Sequence, residues 1–324
     1  MIRYLAQRVV QAVLVLWAAF TVSFAVLFLL PSDPVSLAAD SAGSGTPVDA
    51  AAIAELQARY GLDQPVWVQY WHSLSGAVRG DFGFSIATGQ KVTTAIIDAV
   101  PSTLALATSA LVLALLFGGT VAFFATYTKI GWLRNLLFSI PPLGVAVPTF
   151  WVGLVLLQAF SFQLRWFPAF GDQGVPSLVL PAITLALPTG AVIASVLATS
   201  MTTTWRQPFV ESARARGVSR LRAQTKHVAR LSSIPAFTIA GVLVGNLLAG
   251  SVVVETVFSR AGVGRLTQTS VMAQDIPVVQ GVVVSISLVF VLVNLAVDLF
   301  YPLIDPRIVS EYTRPQPKKE VVHV

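Results

Sequence analysis

Val9 to Leu30 reads VVQAVLVLWAAFTVSFAVLFLL, 22 residues without a charge. A helix needs about 20 apolar residues to cross the hydrocarbon core of a bilayer, so this stretch predicts a transmembrane helix. A cleaved signal peptide is the competing reading, because Arg3 and Arg8 precede the stretch and Ser36, Leu37 and Ala38 loosely resemble a cleavage site. The stretch is, however, too long for a typical signal-peptide core. Working outward, five more stretches qualify as spans: Thr103–Ala125, Leu136–Phe160, Leu178–Ser200, Ile234–Val254 and Val278–Tyr301. The expected fold is all-α, a polytopic integral membrane protein with six transmembrane helices. Pro141, Pro142 and Pro148 in the third span and Pro181 and Pro188 in the fourth predict kinks. The carbonyls these prolines free must find partners on neighbouring helices.

The composition agrees. Of 324 residues, 55% are hydrophobic and 11% charged, against about 25% charged in an ordinary soluble domain. That excludes a disordered chain, a nucleic-acid-binding domain and most soluble enzymes. With the N-terminus inside, fifteen of the 21 Lys and Arg fall on cytoplasmic segments and six outside. The bias places both termini in the cytoplasm and makes the net charge of +6 topological, with no nucleic-acid partner expected. There is no cysteine, which excludes disulfides, thiolate metal ligands and a Cys nucleophile. His72, His227 and His323 lie far apart and make no metal-ligand spacing, so neither metal nor cofactor is expected.

The chain divides into an N-terminal end with the first span (1–30), an extracytoplasmic loop (31–102), a core of spans two to six (103–302) and a cytoplasmic tail (303–324). In the large loop, Asp49–Tyr60 reads as a short helix ended by Gly61, and GDFG (Gly80–Gly83) as a turn. The inside loop 202–233 holds seven basic residues. There, ESARARG (Glu211–Gly217) reads as a short helix stopped by Gly217 at the position after its C-cap. Arg214 and Arg216 suit the negative end of its dipole. A second basic helix, Ser219–Arg230, leads to Ile234 and Pro235 at the membrane. Two short helices joined at a glycine make a protrusion that fits a cleft on another protein; a basic loop resting on anionic headgroups is the alternative.

The pattern ARARG (Ala213–Gly217), with Ile234-Pro235 beginning seventeen residues after the glycine, resembles the "EAA" loop of ABC importer permeases. It is most similar to the B-type permease of the dipeptide/oligopeptide/nickel class. Further motifs in the family's order are LPSDP (Leu30–Pro34), YGLDQP (Tyr60–Pro65), RGDFG (Arg79–Gly83), PTFW (Pro148–Trp151), LPAITLALP (Leu180–Pro188), SVVVETVF (Ser251–Phe258), PVVQG (Pro277–Gly281) and LIDPR (Leu303–Arg307). The resemblance implies the type I ABC importer permease fold and a pore shared with a second homologous permease chain. It implies two P-loop ATPase subunits (identical, different or fused) that grip Glu211, Ala213, Arg214, Ala215, Arg216, Gly217, Ile234 and Pro235. It also implies an extracytoplasmic substrate-binding protein on the outside loops. The implied cargo is a short peptide, with nickel, glutathione or haem handled by the same class. The resemblance implies a non-catalytic permease with ATP hydrolysis on separate chains, and the lack of G-x-x-x-x-G-K-[ST], which excludes P-loop binding of ATP here, agrees with that. Three departures stand out: no arginine from Ser195 to Thr203, Leu231 in place of the family's Asn, and RAGVG (Arg260–Gly264) in place of Trp-Pro-Gly-Leu-Gly.

Gly241, Gly245 and Ala249 recur every four residues on span five, with Asn246 beside them. Small residues on one face let another helix approach closely; lining the pore is the other reading. Asn294 and Asp298 lie four apart on span six, Asp298 near the inner end where water or a basic partner is in reach. Glu255, at the outer mouth of span five with Gly262 and Gly264 beyond it, either contacts a substrate amine or orders a gate loop. An ion-coupled secondary transporter would carry ionisable residues at mid-membrane and internal repeats. An intramembrane protease would show G-x-S-x-G, H-E-x-x-H or paired mid-span aspartates. The sequence offers none of these.

Overall fold

The computed structural model describes residues 2–29 and 64–304. In order come α1 (Ile2–Leu29), α2 (Val66–Val78), α3 (Val92–Tyr127), α4 (Gly131–Ala146), α5 (Thr149–Leu156), α6 (Pro176–Trp205), α7 (Pro208–Ala215), α8 (Ala229–Thr238), α9 (Ala240–Val257), α10 (Val263–Met272) and α11 (Ile276–Ile304). A π-helical segment, Leu157–Gln163, continues α5; a second, Ala223–Val228, joins the single turn Arg220–Arg222 to α8. Among the described residues the sole β pairing is an isolated antiparallel bridge between Phe84 and Lys91. The all-α fold is as expected.

The core is built around α6, whose most apolar stretch is 61% buried against 11% for α1. Small residues make this possible. Leu106, Ala110, Ala114, Gly118 and Ala122 recur every fourth residue on α3. A methyl group added to Gly118 would stand 2.6 Å from the Gly190 carbonyl oxygen of α6, and one on Gly190 2.8 Å from Phe117. The α3–α6 backbones therefore meet at a distance only glycine permits. Gly144 brings α4 equally close, with 2.8 Å between its added Cβ and that of Ala191. At the edge, α1 packs on α11 and holds α2: Tyr70 lies edge-on to Phe20 and Phe24 and its hydroxyl is 2.9 Å from Thr21 Oγ1.

Among the described residues four helices are long and apolar enough to cross a membrane: α1, α3, α6 and α11. The third expected span is more than kinked. It breaks before Pro148 into α4 and the α5–π unit, bent by 101°, and counts as a fifth crossing if the pair is one span. Pro148 stands in extended backbone at the N-cap of α5, whereas Pro141 and Pro142, which lack an N–H just the same, are carried inside α4. The expected fifth span also begins later than Ile234: the helix is interrupted at Ile239, and α9 is a shorter apolar helix of 18 residues. Ile234 and Pro235 consequently belong to α8. The second basic helix likewise does not stop at Arg230; helical structure runs from Arg220 through the π segment to Thr238. The expected Asp49–Tyr60 helix, the LPSDP motif and the tail after Asp305 lie outside the described residues, as do the side-chain surroundings of Gly241 and Asp298.

A freed carbonyl finds its partner in the α9–α10 turn and not, as expected, on a neighbouring helix. Pro181 has no N–H for the carbonyl of Ser177 four residues earlier, and Arg260 Nη1 donates to that oxygen at 3.2 Å.

Candidate functional site

Helix α7 starts with Pro208 in its first turn, where the missing N–H costs nothing. It ends in a Schellman motif: Gly217 N–H donates to Arg214 O (2.9 Å) and Val218 N–H to Ala213 O (3.2 Å). Gly217 has φ +87°, the conformation that closure requires. The residues singled out from sequence divide into two groups. Ala213, with Val210, is buried in a cluster with Ala122, Ala198, Met201 and Val228, so it anchors the protrusion. Glu211, Arg214, Ala215, Arg216 and Gly217 are exposed around it. Ile234 is half-buried and Pro235 exposed on α8.

The chain beyond the tip is bolted to α3 and α6. Ser219 Oγ caps the next turn, accepting from Arg222 N–H at 3.4 Å. The Arg220 guanidinium lies 5.4 Å from the Tyr127 ring centre and 5.7 Å from that of Trp205. Gln224, fully buried, accepts from Trp205 Nε1 and donates to Thr126 Oγ1 at 2.7 Å. Ser232 Oγ donates to Thr204 Oγ1 at 3.0 Å.

The opposite end of α9 holds Glu255, fully buried. Its carboxylate accepts from Thr103 Oγ1 of α3 (2.7 Å) and from the N–H groups of Gly264 (2.7 Å) and Arg265 (3.1 Å). Those N–H groups are second and third in α10, the donors an N-cap side chain would satisfy. The N-cap residue is Gly262, which has no side chain, and any Cβ there would collide with the Glu255 carboxylate. Glu255 therefore caps α10 from another helix. Gly264 is equally constrained: its Cβ would stand 2.5 Å from Val252 Cα. Thr103 completes the unit, accepting from Val263 N–H at 2.8 Å. Through these bonds the buried carboxylate ties α9 to α3 and to the first turn of α10.

Two further carboxylates pin the same end. Asp172 pairs with Arg260 and accepts from Ser102 Oγ (2.7 Å) and Ala261 N–H (3.0 Å). Asp275 accepts from Ser85 Oγ and from Ile86 N–H at 3.2 Å. Arg260, which departs from the family's Trp, is thereby a structural tie. On α9, Gly245 packs against Phe290 of α11, with an added Cβ 2.9 Å from the ring, while Asn246 and Ala249 are exposed. The expected small-residue face is therefore split between a packed and an open side. Asn294 donates to Phe290 O at 2.8 Å.

Residues 114–310 match the family described as binding-protein-dependent transport system inner membrane component. The chain belongs to that family. Residues 1–107 match its N-terminal companion, described as binding-prot-dependent transport system membrane comp, N-term. The glutathione transport system permease protein GsiC of Escherichia coli (strain K12) is 35% identical over 308 residues, 95% of this chain and 99% of that protein. The protein of the same name from Shigella dysenteriae serotype 1 (strain Sd197) matches equally, at 35% over the same shares. Among solved structures, the MetNI methionine ABC transporter in inward-facing conformations is 15% identical, covering 68% of this chain and 97% of that chain with a TM-score of 0.49. An amino acid ABC transporter crystallised with histidines is 18% identical, covering 66% and 94%, with a TM-score of 0.48. This binding-protein-dependent transport component is a membrane protein and a permease subunit of an ABC importer. Such permeases work with a second permease, ATPases and a binding protein, and the separate ATPase subunits hydrolyse ATP.

Sequence reasoning did not find Thr103, Asp172, Gln224 or Asp275. Each is a lone polar residue whose partner is remote in the chain, and only the fold joins them. The α3 stripe also went unread, although its spacing of four is a signal present in the sequence.

Proposed function

We propose that this chain forms half of the translocation pore of an importer for short peptides or peptide-like solutes. It sits in the cytoplasmic membrane as a multi-pass subunit, with both termini on the cytoplasmic side. Two ATPases hold the exposed tip Arg214–Gly217 and its counterpart on the second permease; their ATP-driven closure draws the tips together and opens the pore outward. A binding protein delivers cargo at the α10 end. The observation that carries this reading is the construction of α7, a helix anchored by Val210 and Ala213 and presenting an exposed, basic, Schellman-closed tip. The 35% identity to permeases named for glutathione, a tripeptide, supports a peptide-like cargo; nickel and haem are the other cargoes of this class.

The test is co-purification. The chain is expressed with its chromosomal neighbours, pulled down in detergent, and the bound subunits are identified. Recovery of a second permease and two P-loop ATPases is expected. Gly217→Asp should insert normally yet lose the ATPases and uptake, because it adds a side chain at the φ +87° closure and a negative charge to the basic tip. Recovery of the chain alone, or normal uptake by that variant, would overturn the reading. Uptake of glutathione against a dipeptide, in proteoliposomes with the complete complex, then sorts the cargo.

A further inference from the structure

We propose that Gln224 is a positioning residue, the polar latch through which displacement of the α7 protrusion is passed to α3 and α6. The inference rests on the proposed ATPase-docking role of α7 and assigns the residue that carries the motion onward.

The side chain is fully buried, yet its hydrogen-bonding groups are engaged. Trp205 Nε1 can only donate, so the amide oxygen must face it. That orientation aims the amide nitrogen at Thr126 Oγ1 (2.7 Å) and Phe123 O (3.4 Å) on the last turn of α3. One side chain thus joins three elements: the last residue of α6, the end of α3, and the π segment that follows the α7 tip. On α7 itself Val210 and Ala213 make apolar contact with Ala122, Ala198, Met201 and Val228, while Ser232 to Thr204 is a further polar tie of the segment beyond the tip. Apolar contact is non-directional and lets surfaces slide. Directed hydrogen bonds to two helices do not. Arg220, over the rings of Tyr127 and Trp205, holds the same two partners from the neighbouring turn. A buried polar network whose groups are satisfied rigidifies its surroundings and specifies one arrangement.

The chain has no cysteine, so paired labels can be placed without background from it. Ser212→Cys on the exposed side of α7 and Lys129→Cys just beyond α3 are spin-labelled in the assembled complex. Their distance distribution is measured without nucleotide and after trapping with Mg-ADP and vanadate. With Gln224 in place the distribution should be unchanged by trapping, because α7 and α3 move together. In Gln224→Met, which keeps volume and loses the amide, trapping should displace the distribution by ~2 Å or more, the scale of helix shifts at interfaces. Vanadate-sensitive ATP hydrolysis should persist. A distribution in Gln224→Met as constant as in the parent, or one that already changes in the parent, overturns the latch. If Gln224→Met does not assemble, Thr126→Val and Trp205→Phe each remove one bond, and constancy in both has the same meaning. Absence of ATPase subunits from the parent complex would instead overturn the docking reading, a result visible before any label is read.

Discussion

At the α10 end the buried polar group is a carboxylate, Glu255, and it faces mainly backbone N–H groups; at the α7 end it is a neutral amide, Gln224, and it faces mainly side chains. The difference has mechanical content. Backbone N–H groups in the first turn of a helix cannot turn away from their helix, and they favour an anion through the helix dipole. Glu255 therefore fuses α9, α10 and α3 into one piece. The partners of Gln224, the Trp205 indole and the Thr126 hydroxyl, are side chains of two separate helices, so this junction is held by directed bonds that substitution can remove one at a time. The glycines follow the same division. Gly262 and Gly264 are demanded by space, whereas Gly217 has nothing within reach of an added Cβ and is demanded by its φ of +87°.

The largest effect should come from Gly264→Ala. Its new methyl meets Val252 backbone, which cannot step aside, and we expect a loss of about 3 kcal/mol, read as a fall in the melting temperature of the complex in detergent. Glu255→Ala comes next. It strands the Gly264 and Arg265 N–H groups, at a cost of about 2 kcal/mol, and hydrogen exchange at those two amides should accelerate while α6 stays protected. Trp205→Phe removes one donor from Gln224 and should cost about 1 kcal/mol in the same melting assay. A larger loss there than in Glu255→Ala would break the contrast between the two ends. Gly217→Ala is the mildest in stability, about 1 kcal/mol or less, and Gly217→Asn should recover part of that because asparagine tolerates the left-handed region. Both should weaken ATPase retention in pull-downs by more than their stability loss explains.

Much of the fold was legible because bilayer thickness imposes a length that apolar runs either meet or miss. The stop at Gly217 was legible too, since a glycine after a short basic helix has few other uses. The rest was hidden for particular reasons. Pro141, Pro142 and Pro148 look alike in sequence, yet only the last coincides with a break, a bend of 101°. Nothing in AQTKHV marks the π segment Ala223–Val228. Glu255 was undecided between substrate contact and loop ordering because its side-chain partner, Thr103, lies 152 residues earlier and its other partners are backbone groups with no residue signature. Ser177 likewise gave no hint that Arg260, 83 residues later, would take the carbonyl freed by Pro181.

The unbroken run of α3 and the interruption before α9 make this chain sensitive to its lipid in an uneven way. At 36 residues α3 is about 54 Å long, some 24 Å more than the roughly 30 Å of hydrocarbon in a bilayer. At 18 residues α9 is about 27 Å long and falls short of it. Thicker membranes would simply wet less of α3, but they would draw the polar turn of Glu255, Arg260 and Gly262 toward the acyl chains. Between these two helices, acyl-chain length bears more on the shorter, and the α10 end is the part of the molecule that it joins.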